Sequence, residues 1–557
     1  MIEETPKKLS KNEELKVANP KLAGTIAETL ADDKTDRFSN DDTQFLKFHG
    51  IYQQDDRDLR KQGKHFMFMI RGRIPGGVLN PRLYLTYDRL ATEYGNNTLR
   101  VTTRQSFQFH GVVKNGLGNL MKGIHDALST TLAACGDVAR NVMAPPTPST
   151  SRLVDQVIAD SEKLSDALLP STKAYHEIWV EGVKLNLEDD QFEDPLYGKT
   201  YLPRKFKTAF AIPPLNDTDV FTNCLGFAAI SENDQLIGYN LIAGGGMGMN
   251  HNNPATFPRV ADTIGFFPPE ELENVAKAVL TVHRDYGDRS DRKHARLKYV
   301  LEEKGVEWFR SEVDKRTGFK LEDPRPVNFE RQGDVYGWND QFDGKLFLGF
   351  HILAGRLKDV EGCELKTAIR EIVEKHQIEV RLTPSQNLIL TNIDPADKAS
   401  IDEILTARGV QVENQGTVVR RASMACPALP TCGLALAESE RFLPTLTDMV
   451  SDLLAQVGLK DEEIIIRSTG CPNGCARPYM AELGLVGKAP NKYQIYVGGN
   501  ESSTRLAKLF KENIKTDQLV DELTPVLTRF KEERNEDERF GDFCDRVLLK
   551  EHESATN

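Results

Sequence analysis

The feature that most constrains the fold is a repeat. Arg100, Thr102 and Gln105 recur as Arg381, Thr383 and Gln386, at a constant offset of 281. The same offset links Arg140 and Met143 of ARNVMAPP to Arg421 and Met424 of RRASMACP. Around these anchors, HFMFMIRGRI, PRLYLTYDRLATEYG and LRVTTRQSFQFHG read as strand, helix and strand. HILAGRLKDV, ELKTAIREIVEKHQ and VRLTPSQNLILTNI repeat that order. Further on, GYNLIAGGG (238–246) echoes YQIYVGGN (493–500). In a chain of 557 residues the offset is close to half the length. The chain is therefore expected to fold as two related α/β (α+β) halves about a pseudo-two-fold axis, each a small strand–helix–strand unit followed by a larger α/β unit.

Within the first copy, 99–110 reads as one strand. Arg100, Thr102, Arg104, Ser106, Gln108 and His110 share one face, while Leu99, Val101, Phe107 and Phe109 face the other way. Such a cationic face is either solvated or built for a polyanion. Arg71 and Arg73, two residues apart in the preceding strand, are expected to share a face.

The second copy carries what the first lacks. Cys426, Cys432, Cys471 and Cys475 fall as C-x5-C and C-x3-C in loops shaped by Pro427, Pro430, Gly470, Pro472 and Gly474. The first copy has Pro145 where Cys426 would stand. Four convergent thiolates suit a soft metal centre, a [4Fe–4S] cluster or a zinc. The x5 spacing is wide for a zinc knuckle, and four buried free cysteines remain the alternative without metal. Cys135, Cys224, Cys363 and Cys544 are scattered and read as inert thiols.

The first larger unit offers other chemistry. TYLPRKFKTAFAIPP reads as a strand with Lys205 and Lys207 on one face, an arrangement that also suits an exposed sheet edge. Gly244–Gly246 would let backbone approach an anion or a flat ring. RDYGDRSDRKHARLKYVLEEKG (284–305) reads as a basic helix, and 502–536 as a polar helix pair. Neither a G-x-G-x-x-G fingerprint nor a Walker A motif is found, so NADPH and ATP are not expected as ligands of this chain. A net charge of -12 argues against nucleic acid or an anionic membrane as partner. No apolar run approaches the ~18 residues of a membrane span. The polar start reads as no signal peptide, and residues 1–40 read as a mobile arm or docking segment. A thiolate centre without an export signal fits a cytoplasmic setting.

C-x5-C followed by T-G-C-P-N-G-C resembles the siroheme-containing sulfite and nitrite reductases, and the likeness runs over roughly residues 40–545. The resemblance implies a three-domain fold: an arm (1–65), two ferredoxin-like half-domains (66–138 and 338–418), an α/β domain (139–337) and a cluster domain (419–557). It implies siroheme and a [4Fe–4S] cluster on Cys426, Cys432, Cys471 and Cys475, with Cys475 also on the siroheme iron. Arg71, Arg140, Lys205 and Lys207 match the family's anion-binding cations. Arg73, Arg100, Arg104, Gln108, His110, Gly244, Gly245, Arg292, Lys293 and Asn473 are its implied cofactor contacts. The implied reaction is assimilatory six-electron reduction of sulfite to sulfide for cysteine synthesis, fed by an FAD/FMN flavoprotein reductase that draws on NADPH. Nitrite enzymes usually carry asparagine at the place of Lys207, so R-K-F-K favours sulfite over nitrite. Two departures stand out: Ala144 replaces a frequent cysteine, and HNNPATFPR (251–259) lacks the family's basic residues there.

Overall fold

The computed structural model describes residues 8–148, 152–171, 178–180, 183–185, 193–341, 343–413 and 415–556. Four five-stranded sheets carry the architecture, in two pairs. The small sheets are mixed-parentage. One orders Ile51–Asp55, Phe66–Arg71, Phe107–Val112, Leu99–Val101 and then Arg356–Leu357, which comes from the other half. Its counterpart orders Gly337–Asp340, Leu346–Phe350, Leu388–Ile393, Glu379–Leu382 and then Val78–Leu79. Each half thus lends an edge strand to the other, pairing Arg356 with Arg100 and Arg381 with Val78.

The duplication holds at the level of single hydrogen bonds. Gln105 donates to Ala144 O (2.8 Å) and accepts from Ala144 N (3.0 Å). Gln386 does the same with Ala425, at 2.9 and 3.1 Å. Both glutamines sit at positive φ, 48° and 73°, in tight turns closed by Thr102 N to Ser106 O and Thr383 N to Asn387 O. These two-way amide locks stabilise a left-handed conformation that a glutamine would otherwise avoid. They also correct the reading of 99–110: the segment is a hairpin, Leu99–Val101 against Phe107–Val112, with Arg104 in its turn. Arg100 still faces Gln108 across the ladder.

The large sheets order Asp262–Phe267, Gln235–Ala243, Leu225–Glu232, Phe206–Ala211, Ala139–Met143 and, in the second half, Lys508–Lys515, Lys492–Val497, Leu483–Ala489, Ile466–Thr469, Ser423–Ala425. The three strands carrying the sites run parallel in each, and the outer hairpins are antiparallel. Phe210, Phe227, Tyr239 and Phe267 interlock at 4.9–6.1 Å between ring centroids in the first core. Each fully buried ring contributes roughly 1.5–3 kcal/mol. Helix Pro81–Tyr94 starts where its sequence says it should: Pro81 opens it and Asn80 accepts from Leu83 N at 2.9 Å.

Four further expectations change. Residues 8–40 are not a loose arm: Leu22 and Phe38 are buried, and helix Lys11–Ala18 sends Glu13 and Lys16 into the interior. Residues 1–7 of that expected arm lie outside the described residues. Strand Ile51–Asp55 belongs to the first small sheet, so that unit begins before 66. The stretch 502–536 is a strand, Lys508–Lys515, and one helix, Leu519–Glu533, because the strand completes the sheet edge beside Lys492–Val497. The basic stretch 284–305 is helical only to Tyr286 and again from Leu297. Among the described residues no helix is long and apolar enough to cross a membrane.

Candidate active site

Parallel pairing builds the site. Parallel strands end at the same edge, so the loops after Ser423–Ala425 and Ile466–Thr469 meet, and these are the loops bearing Cys426, Cys432, Cys471 and Cys475. Cys426 and Cys471 are buried, Cys432 is partly so and Cys475 is exposed. Burial and then the neighbouring Cys475 sulfur push the Cys426 thiol up, and they push Cys471 to about 11. Cys432 is likewise raised by burial and the Cys475 sulfur, and thiols crowded in this way suit a cation among them. Two already receive hydrogen bonds suited to thiolates: Gly470 N donates to Cys426 (3.3 Å) and Asn473 Nδ2 to Cys471 (3.4 Å). A single zinc would hold its thiolates about 3.8 Å apart, from a Zn–S bond of about 2.3 Å. Among the described residues no set of three ligands is close enough for one ion. The donor set is all sulfur, carried on two neighbouring loops, which fits a polynuclear cluster bound through its corner irons.

Facing these loops is a concentration of cations. Ala139–Met143 and Phe206–Ala211 also run parallel, which brings Arg140 near both Lys205 and Lys207 across an irregular stretch of the ladder. Burial, then Lys207, Arg140, Arg204 and Arg296, hold Lys205 far below the usual lysine range. Burial, then Arg104 and Arg296, do the same to Lys207. No carboxylate lies within ion-pair reach of either ammonium among the described residues. Arg104 is 8% exposed, donates to Asn223 Oδ1 (2.9 Å), Thr208 O (2.9 Å) and Asn141 O, and is lowered to about 9 by burial and then Arg140. Gln108, its oxygen turned towards Arg71, accepts from Arg71 Nε (3.0 Å) and donates to His110 Nε2 (3.3 Å). That hydrogen bond and a proton affinity depressed by burial leave His110 neutral with its proton on Nδ1. Buried His110 Nδ1 and the Nε atoms of Arg104, Arg140 and Arg296 all lack partners. Orphaned donors gathered with unpaired cations suit a large polyanionic group.

Several expected contacts are committed elsewhere. The strand ends at Arg71, so Arg73 leaves its face and donates to Ser165 Oγ (3.0 Å), Ser165 O (2.9 Å) and Ala139 O (2.9 Å). Arg100 is spent on Glu440 and on Ala425 O (2.7 Å), and Glu440 N donates to Cys426 O, so the arginine braces the cluster loop. Arg292 grips Asp137 with two bonds, 2.7 and 2.9 Å, and Lys293 is exposed. Gly245 is required by its own backbone, since a Cβ would strike Phe221 O; Gly244 takes φ +89°. The segment then crosses to the second cysteine loop, with Met249 N donating to Pro472 O at 3.0 Å.

Sequence reading missed Arg204, Arg296 and Arg477. Arg296 hid in a charge run that looked solvated. A second offset could have exposed Arg477: Thr208 pairs with Leu225 as Ile466 pairs with Leu483, an offset of 258. By that offset Asp217 stands in the first half where Cys475 stands in the second. Asp219 and Arg477, also equivalent and both at positive φ, form an ion pair across the pseudo-axis.

The family described as "Nitrite and sulphite reductase 4Fe-4S domain" matches residues 159–321 and 418–552. Its companion, "Nitrite/Sulfite reductase ferredoxin-like half domain", matches 59–127 and 339–408. A Myxococcus xanthus protein named sulfite reductase [NADPH] hemoprotein beta-component is 48% identical over 548 residues, 97% of each chain. A Staphylococcus saprophyticus protein of the same name is 47% identical over 98% of this chain and 96% of its own. The Mycobacterium tuberculosis NirA protein superposes with a TM-score of 0.79 at 25% identity, covering 97% of this chain and 96% of that one. With family models matching most of the chain and relatives at 47–48% identity over nearly its whole length, the chain belongs to the nitrite and sulphite reductase family.

Proposed function

We propose that the chain is the hemoprotein component of an NADPH-driven sulfite reductase, reducing sulfite to sulfide. The observation that carries this reading is the unpaired cation cluster of Arg71, Arg140, Lys205 and Lys207 beside the four-cysteine loops. When bound, siroheme and a [4Fe–4S] cluster supply the electron conduit and the iron that takes the sulfur of sulfite. Cys426, Cys432, Cys471 and Cys475 would hold the cluster, and Cys475 would be the thiolate shared with the siroheme. Arg104, His110 and Arg296, with their orphaned donors, take siroheme carboxylates.

The chain's own groups do the rest. One sulfite dianion, six electrons and seven protons give hydrosulfide and three waters. Arg71 and Arg140 bind the dianion and orient its oxygens. Arg140 is buried and Arg71 partly so, where charge is less screened than in open solvent. Lys205 and Lys207 are lysines whose protons are already loosened by burial and then by neighbouring cations. An arriving dianion restores their protonation, and each can then release a proton to a departing oxygen. Gln108 fixes Arg71 through its amide oxygen.

The electron donor is an FAD/FMN flavoprotein partner that oxidises NADPH, and the setting is cytoplasmic. The absence of a dinucleotide-binding motif from this chain supports that division of labour. The test is spectroscopic and stoichiometric. The purified protein should show Soret and red haem bands with iron and acid-labile sulfide, and should oxidise six equivalents of a one-electron reduced dye per sulfite. A haem-free protein, or one inert to sulfite, would overturn the reading.

A further inference from the structure

The anion pocket has a counter-charge behind it that neither the motifs nor the reaction requires. Asp137 is 2% exposed and lies three residues before Arg140. It takes both Arg292 bonds, at 2.7 and 2.9 Å, with Lys16 Nζ at 3.6 Å and Arg204 Nη1 at 4.0 Å. Arg204 directly precedes Lys205. Lys16, equally buried, also donates to Leu202 O at 2.9 Å and pairs with Glu13, which holds Arg289 at 2.5 Å. Helix Lys11–Ala18 is thereby clamped onto the backbone that leads into the strand bearing Lys205 and Lys207. A buried carboxylate serving three cations is costly unless its position matters.

We propose that Asp137 is a positioning residue for the anion pocket, and that Lys16 and Glu13 of the N-terminal helix complete the device. Asp137 draws Arg292 and Arg204 back from the pocket, which leaves Arg71, Arg140, Lys205 and Lys207 to meet the anion. It also offsets their mutual repulsion. The N-terminal segment on this view is a wall of the site, and its removal damages dye-driven as well as partner-driven turnover. The inference rests on the proposed sulfite chemistry.

The sign of the electrostatic effect separates this role from a purely structural one. Lys205 faces Lys207, Arg140, Arg204 and Arg296. Asp137 faces Arg292, Lys16 and Arg204, with Glu13 and Arg289 beyond Lys16. Removing the negative charge lowers the proton affinity of the pocket lysines, and removing the positive charge of Lys16 raises it. Lys47, held at about 8 by burial and then Arg292, shifts in the same directions and leaves the signs intact.

The experiment compares holoenzyme carrying Asp137→Asn, Asp137→Glu or Lys16→Met, each checked for haem and iron content. Two quantities are read against pH: sulfite affinity from the haem absorbance change, and kcat/KM with a reduced dye. Asp137→Asn should move the alkaline limb of both down by roughly half to one pH unit, and Lys16→Met should move it up. KM should change more than kcat, and Asp137→Glu should restore most of the affinity. Shifts of the same sign in the two variants, or none with cofactors intact, would overturn the proposal. If Asp137→Asn fails to hold haem, Lys16→Met decides alone: an upward shift supports the device and an unmoved limb overturns it. Wild-type protein that binds haem but leaves sulfite unreduced would refute the function itself, a distinct outcome.

Discussion

Replacing Lys207 by asparagine should cost sulfite more than nitrite. The ammonium faces Arg104, Arg296 and Arg140 and has no carboxylate within ion-pair reach among the described residues. Its attraction for an anion is therefore not cancelled locally. At about 4 Å and an effective dielectric of about 20, one pair of unit charges is worth about 4 kcal/mol, and a dianion gains twice what a monoanion gains. Part of that is lost to solvent and to relaxation of the remaining cations. The ratio survives the discount: in logarithmic terms sulfite should lose about twice what nitrite loses. If nitrite reduction falls about 10-fold, sulfite reduction should fall about 100-fold, within the roughly 10²–10³-fold range of removing one charge-stabilising donor. The loss should appear in kcat as well as KM, because negative charge grows on the departing oxygens. Steady-state kinetics on both anions with a reduced dye, after confirming equal haem content, give the answer. Equal proportional losses in kcat/KM would refute the charge argument.

Serine at any one of Cys426, Cys432, Cys471 or Cys475 should lower cluster iron and labile sulfide; full occupancy in all four single variants would remove the quartet from consideration. Glu440→Gln should destabilise the fold by roughly 3 kcal/mol, because it strands Arg100 and Arg356. Burial raises the Glu440 carboxyl, but Arg100 and Arg356 outweigh it and hold it below the usual value. Its contribution should therefore be complete above about pH 4.3 and disappear as pH falls through the folded value, which thermal melts against pH would reveal. Gly245→Ala should cost about 1–3 kcal/mol from the collision with Phe221 O and loosen the crossing to the second cysteine loop. Unchanged melting and unchanged iron content would contradict that assignment.

The cysteine quartet and the doubled architecture were legible because both rest on residue identity at fixed spacing. Arg71, Arg140, Lys205 and Lys207 became candidates only through family resemblance, since nothing local distinguishes a pocket lysine from a sheet-edge lysine. Alternation misled at two places. It ran Arg104 into a strand because the Thr102–Ser106 turn contains no glycine or proline and depends on Gln105 meeting Ala144, a contact formed 39 residues away. It paired Arg73 with Arg71 because the strand's end is set by Gly72–Gly77 and by Ser165, which the strand sequence does not contain. The burial of Lys16 and Glu13 was illegible for the same reason: a charged helix reads as solvated until Asp137, Arg289 and Leu202 are placed around it.

The exchanged edge strands bear on how the chain is made. Val78–Leu79 cannot find its ladder until Glu379–Leu382 has left the ribosome, about 300 residues later. At roughly 5–20 residues per second that is on the order of 15 to 60 seconds, during which the nascent first half presents a bare sheet edge. The arrangement is that of two strand-swapped subunits joined end to end. A chain cut between the halves near Asp334 should therefore still assemble when both pieces are present, and each piece alone should pair with copies of itself.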